Sequence, residues 1–378
     1  FVLTNGTYSC STLAGGEIEK QGESCLRFKG SNGAINVSGA TLIGGIYIGS
    51  CNGSLDGIKD NSISYTYEGP TPFVGISATF SSDDASAASI KAAALAAQNT
   101  IKMPATGMQY DVAFENNTSN PWKKFECIVT GVPAIKDNKI NLTAGSDVAY
   151  NGVVLQRALD YAATLDTKPE IILAAGTYQG SFVMADGVNV TGAVDGNGKP
   201  ASILNGGGKG RVVSYKADAK YNGSATSATT PFAKATTWSN LTITNGKTND
   251  GGAGAYICAN VTLKNCVITK NVAGEEATAS KAGGVLCDFG GTLDGCIVSN
   301  NTVYGSGAGI QLNTNGSVLN CEVFGNTAIG ATAAVAHSGG IGTRCKAEGA
   351  AMLIRNSLIY NNKANSAAAA TVNAGTTM

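Results

Sequence analysis

Five segments between Trp238 and Ala364 repeat one pattern, and that repeat restricts what the chain can fold into more than any other feature. They are Trp238-Ser-Asn-Leu-Thr-Ile243, Leu263-Lys-Asn-Cys-Val-Ile268, Leu293-Asp-Gly-Cys-Ile-Val298, Val318-Leu-Asn-Cys-Glu-Val323 and Ile354-Arg-Asn-Ser-Leu-Ile359. In alignment the first position is large and apolar, the sixth is Ile or Val, and the third reads Asn240, Asn265, Gly295, Asn320, Asn356. Three positions past the sixth stand Gly246, Asn271, Asn301, Asn326 and Asn362. Successive segments begin 25, 30, 25 and 36 residues apart. A motif that keeps its register while its connections change length marks a solenoid, whose coils bury their apolar side by stacking.

A second series of strands lies between these segments: Gly254-Ala-Tyr-Ile257, Gly284-Val-Leu-Cys287, Gly309-Ile-Gln-Leu312 and Gly340-Ile-Gly-Thr343. Each coil is therefore expected to hold several short parallel strands separated by bends. Like positions then recur about 4.8 Å apart along the stack, with Ile268, Val298, Val323 and Ile359 filling one stripe of the core. The asparagine columns fall at bends, where stacked amides can hydrogen-bond to one another and to the backbone. Cys266, Cys296 and Cys321 share a column and read as small buried apolar residues. Cys10, Cys25, Cys51 and Cys127 could form disulfides in an exported protein, with the pairing open.

Upstream, Asn151-Gly-Val-Val-Leu-Gln-Arg-Ala-Leu-Asp-Tyr-Ala-Ala-Thr-Leu165 places Val154, Leu155, Ala158, Leu159 and Ala162 at helical steps, with Asn151 as N-cap. This helix, over 151–165, is expected to cap the first coils of a solenoid domain over 149–378, behind a linker at 133–148. Residues 1–132 lack the repeat. Their short apolar alternations, such as Ile63-Ser-Tyr-Thr-Tyr67 and Phe125-Glu-Cys-Ile-Val129, predict an antiparallel β-sandwich or jelly roll of one or two modules. Ser86–Gln98 reads as a short helix within it. The fold class expected is all-β.

Equal numbers of basic and acidic residues, 26 each, and no basic run leave no electrostatic footprint for nucleic acid. No apolar run is long enough for a transmembrane segment. The chain opens on Phe1, which suits a form trimmed after export. After Asn361 no amphipathic cap appears. A partner, or further chain beyond Met378, is expected to cover the last coil.

The alternation of Gly-Gly-Ala/Val/Ile segments with Cys266-Val-Ile-Thr-Lys-Asn271, Cys296-Ile-Val-Ser-Asn-Asn301 and Cys321-Glu-Val-Phe-Gly-Asn326 resembles the right-handed parallel β-helix repeat of pectate-lyase-like exported bacterial proteins. It is also similar to the repeats of chlamydial polymorphic outer-membrane proteins. Leu155-Gln-Arg-Ala-Leu159, Ala174-Ala-Gly-Thr-Tyr178 and Asp186-Gly-Val-Asn-Val190 resemble the entry coils of β-helix surface proteins of Bacteroidetes. The resemblance spans about residues 145–364 and implies the fold and a secreted or cell-surface location. It carries no site, because the matching residues are those that build the coil.

Function must then be sought in the chemistry. Glycosidic hydrolysis needs two carboxylates across the scissile oxygen. Asp83-Asp84 reads as a solvated turn, Glu275-Glu276 as a loop between rungs, and Asp294 as a surface partner of Lys264. A calcium-dependent lyase needs clustered acids on successive rungs, and Asp288, Asp294 and Glu322 are scattered. His337, the single histidine, reads as a loop residue, and Asn205-Gly-Gly-Gly-Lys-Gly-Arg211 as a bend and not a phosphate loop. No catalytic residue, metal site or cofactor is assigned. The variable connections remain: 215–237, 272–281, 327–338 and 344–351. Insertions from successive rungs gather on one face, often the binding face. Tyr215, Tyr221, Tyr256, Tyr304 and Arg344 are the candidate ligand-binding residues, since flat aromatic faces suit sugar rings. The expected function is a non-catalytic, adhesin-like protein binding a polysaccharide, glycan or another surface protein. The alternatives are a polysaccharide lyase or glycoside hydrolase acting on an acidic polysaccharide, and a structural stalk or assembly subunit.

Overall fold

A computed structural model describes residues 1–9, 24–28, 33–51, 53–64, 74–81, 94–95, 97–101, 108–117, 124–133, 135–146, 148–217, 231–276, 280–330, 338–344, 351–366 and 369–372. The fold is all-β with several parallel sheets and one long helix, and divides into two compact units, Phe1–Ala134 and Ile135–Met378. No helix among the described residues is long and apolar enough to cross a membrane.

In the larger unit the chain visits four sheets in turn. One circuit runs through Val261–Lys264, Val267–Thr269, Val272–Ala273 and Val285–Cys287, and Thr292–Asp294 then returns to the first sheet. Successive coils pair in parallel. The columns of the repeat are rows of register partners. Trp238, Leu263, Leu293, Val318 and Ile354 align in the first sheet. Ile243, Ile268, Val298, Val323 and Ile359 align in the second. All are buried except in the last of these coils, where Ile354 and Ile359 are half-buried.

Bends between the strands explain the asparagines. Asn240, Asn265, Gly295, Asn320 and Asn356 adopt φ between 52° and 66°. That left-handed conformation costs most side chains about 1–2 kcal/mol, and asparagine and glycine tolerate it. The second column forms a buried ladder. Asn271 Nδ2 donates to Asn301 Oδ1 at 3.0 Å, Asn301 Nδ2 to Asn326 Oδ1 at 3.0 Å, and Asn326 Nδ2 to Asn362 Oδ1 at 2.9 Å. Each Oδ1 also accepts the backbone N–H of the coil before it, starting with Gly246 N to Asn271 Oδ1 at 2.8 Å. A bend that would otherwise bury unpaired amides is satisfied rung by rung. The cysteine column plays the same part at the first bend. Cys296 N meets Cys321 Sγ at 3.4 Å, Cys321 N donates to Ser357 Oγ at 3.1 Å, and Cys296 Sγ donates to Leu263 O at 3.2 Å. These cysteines are free thiols, and burial pushes the Cys296 thiol well above its ordinary range.

The helix Val148–Thr164 buries Val154, Leu155, Ala158, Leu159 and Ala162 and packs on Gly176–Gln179 and Phe182–Val183 of the first coils. Asn151 is not its N-cap but lies inside the first turn. Its side chain accepts from Gly145 N and donates to Gly145 O and Thr177 O, each at 2.9 Å, clamping the incoming loop to a coil. The stretch read as a linker supplies the hairpin Ile135–Lys136 and Lys139–Leu142, the second strand of which pairs in parallel with Glu170–Leu173.

The smaller unit departs from the expected antiparallel sandwich. Val2–Thr4, Asn36–Ser38 and Gly57–Lys59 pair in parallel, as do Thr7–Ser9, Thr41–Ile43, Ser62–Ser64 and Thr100–Ile101. Ser24–Phe28, Gly45–Cys51 and Val74–Ser81 form a third parallel set, onto which Lys124–Pro133 and Met108–Asn117 add in antiparallel fashion. Alternating apolar residues look alike in parallel and antiparallel strands, so the pattern alone does not choose between them. A short amide ladder recurs here too: Ala40 N donates to Asn61 Oδ1 at 3.0 Å, and Asn61 Nδ2 to Asn99 Oδ1 at 2.8 Å. Ile35, Val37, Leu42, Ile46, Ile48, Ile58, Ile63 and Ile76 form the core beneath it. Of the segment read as a helix at 86–98, the described residues include Ala94 and Leu95, in helical conformation, with Gln98 N bonded to Ala94 O at 2.9 Å.

Candidate functional site

Two residues separate the second-sheet and third-sheet strands in each of the five repeat coils, for example Lys270-Asn271 and Asn300-Asn301. The ladder fixes that bend, so extra residues enter elsewhere, on either side of the fourth sheet. This sheet runs Phe182–Val183, Val213–Ser214, Ala255–Ile257, Val285–Cys287, Ile310–Asn313, Ile341–Arg344. The insert 215–237 follows Val213–Ser214, and 344–351 follows Ile341–Arg344. The inserts 272–281 and 327–338 lead into Val285–Cys287 and Ile341–Arg344. Two of them thus leave fourth-sheet strands, and the other two join the third sheet to the fourth.

Its face is built around Tyr256. The ring of Tyr215 meets that of Tyr256 edge-on, with centroids 5.0 Å apart, and the Arg211 guanidinium lies 5.0 Å from the Tyr256 centroid. Arg211 is held in turn by Gly251 O at 2.8 Å and by the Asp250 carboxylate at 3.6 Å. Burial lowers the Arg211 pKa, with Asp250 opposing that shift. Tyr256 donates its hydroxyl to Asp288 Oδ2 at 2.9 Å; Asn313 Nδ2 donates to Asp288 Oδ1 at 3.2 Å, and Gln311 Nε2 to Asn313 Oδ1 at 3.1 Å. Burial pushes the Asp288 carboxyl up, against the pull of its hydrogen bonds from Tyr256 and Asn313. Burial and the neighbouring Asp288 carboxylate push the Tyr256 phenol far up.

The structure brings together only some of the residues singled out in the sequence. Tyr215 and Tyr256 touch, but at 4% and 2% exposure they are pieces of packing, not open platforms. Arg344 is half-buried and ends the fourth sheet, in register with Asn313. Tyr304 is half-buried on the third sheet, opposite Ile329. Tyr221 lies outside the described residues, as do Asp83, Asp84 and His337. The polar chain through Asp288 and Asn313 escaped notice in the sequence. Its signal is the position directly after the third residue of each fourth-sheet strand, occupied by Cys258, Asp288, Asn313 and Arg344. Also missed was a stacked aromatic pair on the second sheet, Phe324 and Tyr360, with ring centroids 5.2 Å apart and planes 10° from parallel. Tyr360 donates to Glu322 Oε1 at 2.5 Å.

Glu275 and Asp294 have local roles. Glu275 accepts from Asn249 Nδ2 at 3.1 Å on the surface. Asp294 stands beside Lys264 in register and accepts from Asn320 Nδ2 at 2.8 Å, as part of the outer asparagine row. Asn205 Oδ1 accepts from Gly207 N at 2.9 Å, closing the glycine-rich bend on itself. Among the described residues no three His, Cys, Asp or Glu side chains are placed to share a metal ion. None of the protein-family profiles, curated sequences or solved structures compared with this chain matches it.

Proposed function

We propose that the larger unit is a right-handed parallel β-helix, and that the protein is a non-catalytic, adhesin-like module at the cell surface or in the medium. Parallel strands joined by crossovers take the right-handed path almost without exception. The ligand is a glycan or another surface protein, received at the fourth sheet and its flanking inserts. The observation that carries this reading is that all four inserts flank the fourth sheet, two leading into its strands and two leaving them, while the ladder holds the second bend constant through the repeat coils. Sequence variation is thereby channelled to one face on a rigid frame, the arrangement by which solenoids present binding loops.

Binding is favoured over catalysis by the state of Asp288. Its carboxylate, with the residue 3% exposed, is engaged by Tyr256 and Asn313 and does not meet a glycosidic oxygen in this arrangement. A glycan array tests the reading: selective binding of one glycan class is expected, and a blank array together with no capture of surface proteins would assign a stalk role instead. Incubation with uronate polysaccharides, followed at the absorbance of unsaturated products, checks the other side. Sustained turnover would overturn the non-catalytic assignment.

A further inference from the structure

The outer face of the second sheet is apolar and hydroxylated, with hardly any charge. In the repeat coils its strands are Leu241–Thr244, Val267–Thr269, Ile297–Ser299, Glu322–Phe324 and Leu358–Tyr360. They turn Ile243, Ile268, Val298, Val323 and Ile359 inward, and side chains alternate between faces along a strand. Two outward rows result. One reads Thr242, Val267, Ile297, Glu322, Leu358, and the other Thr244, Thr269, Ser299, Phe324, Tyr360. Glu322 is the single charge in the two rows, and it accepts the Tyr360 hydroxyl. The first sheet differs, with Lys264, Asp294 and Arg355 outward in the same coils. One or two residues join each second-sheet strand to the first and third sheets, so neither edge of the face carries an insert in these coils. The bend toward the third sheet borders it with Asn245, Lys270 and Asn300, all exposed. Leu358 is 66% and Tyr360 40% exposed, and Val267, Ile297 and Phe324 are half-buried. Ser299 Oγ lies 3.5 Å from Thr269 Oγ1, so hydroxyls of neighbouring coils meet along the second row.

We propose that this face is a second ligand site, a track that holds an uncharged polysaccharide extended along the stack of coils. It goes beyond the fourth-sheet reading and stands on different residues. Apolar side chains exposed side by side mark a binding surface. A sugar ring has apolar C–H faces and a rim of hydroxyls, so a chain of such rings matches an aliphatic row laid beside a hydroxyl row. Val267 and Ile297 meet the C–H faces, and Thr244 and Thr269 exchange hydrogen bonds with the rim. Phe324 and Tyr360, stacked on each other, close one end as an aromatic block against which a sugar packs. Coils recur about every 4.8 Å, close to the length of one sugar residue, so successive sugars meet equivalent positions. The lack of charge selects the class: an acidic polymer would lose hydration here and gain no counter-charge on the face itself. The hydroxyl row sets the face apart from the apolar centre of a protein–protein interface.

The test titrates the protein by calorimetry with uncharged di-, tetra- and hexasaccharides of glucose, mannose and xylose, and with a uronate hexasaccharide, at two salt concentrations. At least one neutral series is expected to bind, more tightly with each added pair of sugars and with little response to salt. Phe324→Ala and Tyr360→Ala should each weaken the hexasaccharide about tenfold, whereas Tyr360→Phe, which keeps the ring, should retain most of the affinity. Thr269→Lys, two coils before Phe324, should weaken the hexasaccharide and spare the disaccharide held at the aromatic end. Lys264→Ala on the first sheet should change nothing. Far-UV circular dichroism and thermal unfolding check that each variant folds, and Thr269→Lys, a surface change, keeps the test open if removal of a ring does not yield folded protein. No binding of any neutral oligosaccharide, or an affinity that does not rise with length, would overturn the track. Sugar binding that none of these variants alters would overturn it too, while leaving the fourth-sheet reading in place. A dimer in sedimentation that Thr269→Lys dissociates, with no sugar bound, would assign the face to a second copy of the chain and also overturn the proposal.

Discussion

Replacing Asn301 by alanine tests whether the buried amide ladder holds the coils together. Asn301 is fully buried and uses its side chain on four sides. Its Oδ1 accepts Asn271 N at 3.1 Å and Asn271 Nδ2 at 3.0 Å; its Nδ2 donates to Ile268 O and to Asn326 Oδ1, both at 3.0 Å. Truncation does not strand all four partners. Asn271 Nδ2 keeps Ile243 O and Thr269 O, and Asn326 Oδ1 keeps the backbone N–H of residue 301. The Asn271 N–H loses its acceptor and Ile268 O loses its amide donor. A buried polar group left unpaired costs about 1–3 kcal/mol, so Asn301→Ala is expected to cost about 2–5 kcal/mol once the small void is included. Asn320→Gly is the control, because it keeps the left-handed bend and removes only exposed hydrogen bonds, one to Asp294 and one from Asn356. It should cost no more than about 1 kcal/mol. Urea unfolding measures both, and amide hydrogen exchange localises the effect, with Asn271 N–H losing protection in the alanine variant alone. Asn301→Asp, which keeps the acceptor but buries a charge, should be at least as damaging at neutral pH and recover in acid. A cost for Asn301→Ala no larger than that of Asn320→Gly, with Asn271 still protected, would refute the ladder as a stabilising element.

Three further outcomes are expected. Because burial raises the pKa of Asp288 above 3.8, its contribution to stability is complete below that ordinary value and is lost as pH rises through the raised folded-state value. Asp288→Asn should flatten that part of the stability–pH curve measured by thermal unfolding, and an unchanged slope would show that Asp288 does not cause it. Gly284→Ala should lower the melting temperature sharply, since the added methyl would sit 2.4 Å from Gly309 O on the next coil; an unaltered melting temperature would mean that the coils can separate there at no cost. The thiols of Cys266, Cys296 and Cys321 are buried; at pH 8 they should resist alkylation in the native protein and react in denaturant, as mass spectrometry of digests would reveal.

How much of this was legible depends on how often a position repeats. The columns of Trp238 and Ile243 appear five times over, and each became a row of register partners. Asn271, Asn301, Asn326 and Asn362 were readable as stacked bends for the same reason. In the smaller unit the corresponding amides among the described residues are Asn61 and Asn99, 38 residues apart, which is too few to announce a column. Parallel pairing there was hidden because partners such as Leu3 and Val37 lie far apart in sequence while each strand looks like half of a hairpin. The candidate site was legible as a set of inserts but not as a set of side chains. Tyr215 and Tyr256 look like exposed aromatics until the contacts with Arg211 and with each other place them in packing.

The amide ladder also has a direction. Each asparagine accepts a bend amide of the coil before it, so that amide of every coil is satisfied by its successor. Such a molecule can change length only in whole steps. Excising one circuit, Leu293 to Ser317, would set Val318 on Leu263 and Asn326 on Asn271, and every remaining amide would find a partner of the same kind. Removing half a circuit would face bend against strand and leave the row broken. Extension and shortening by complete turns are therefore the changes this architecture absorbs most readily, and each added turn brings new flanks beside the fourth sheet on which another insert can be grown.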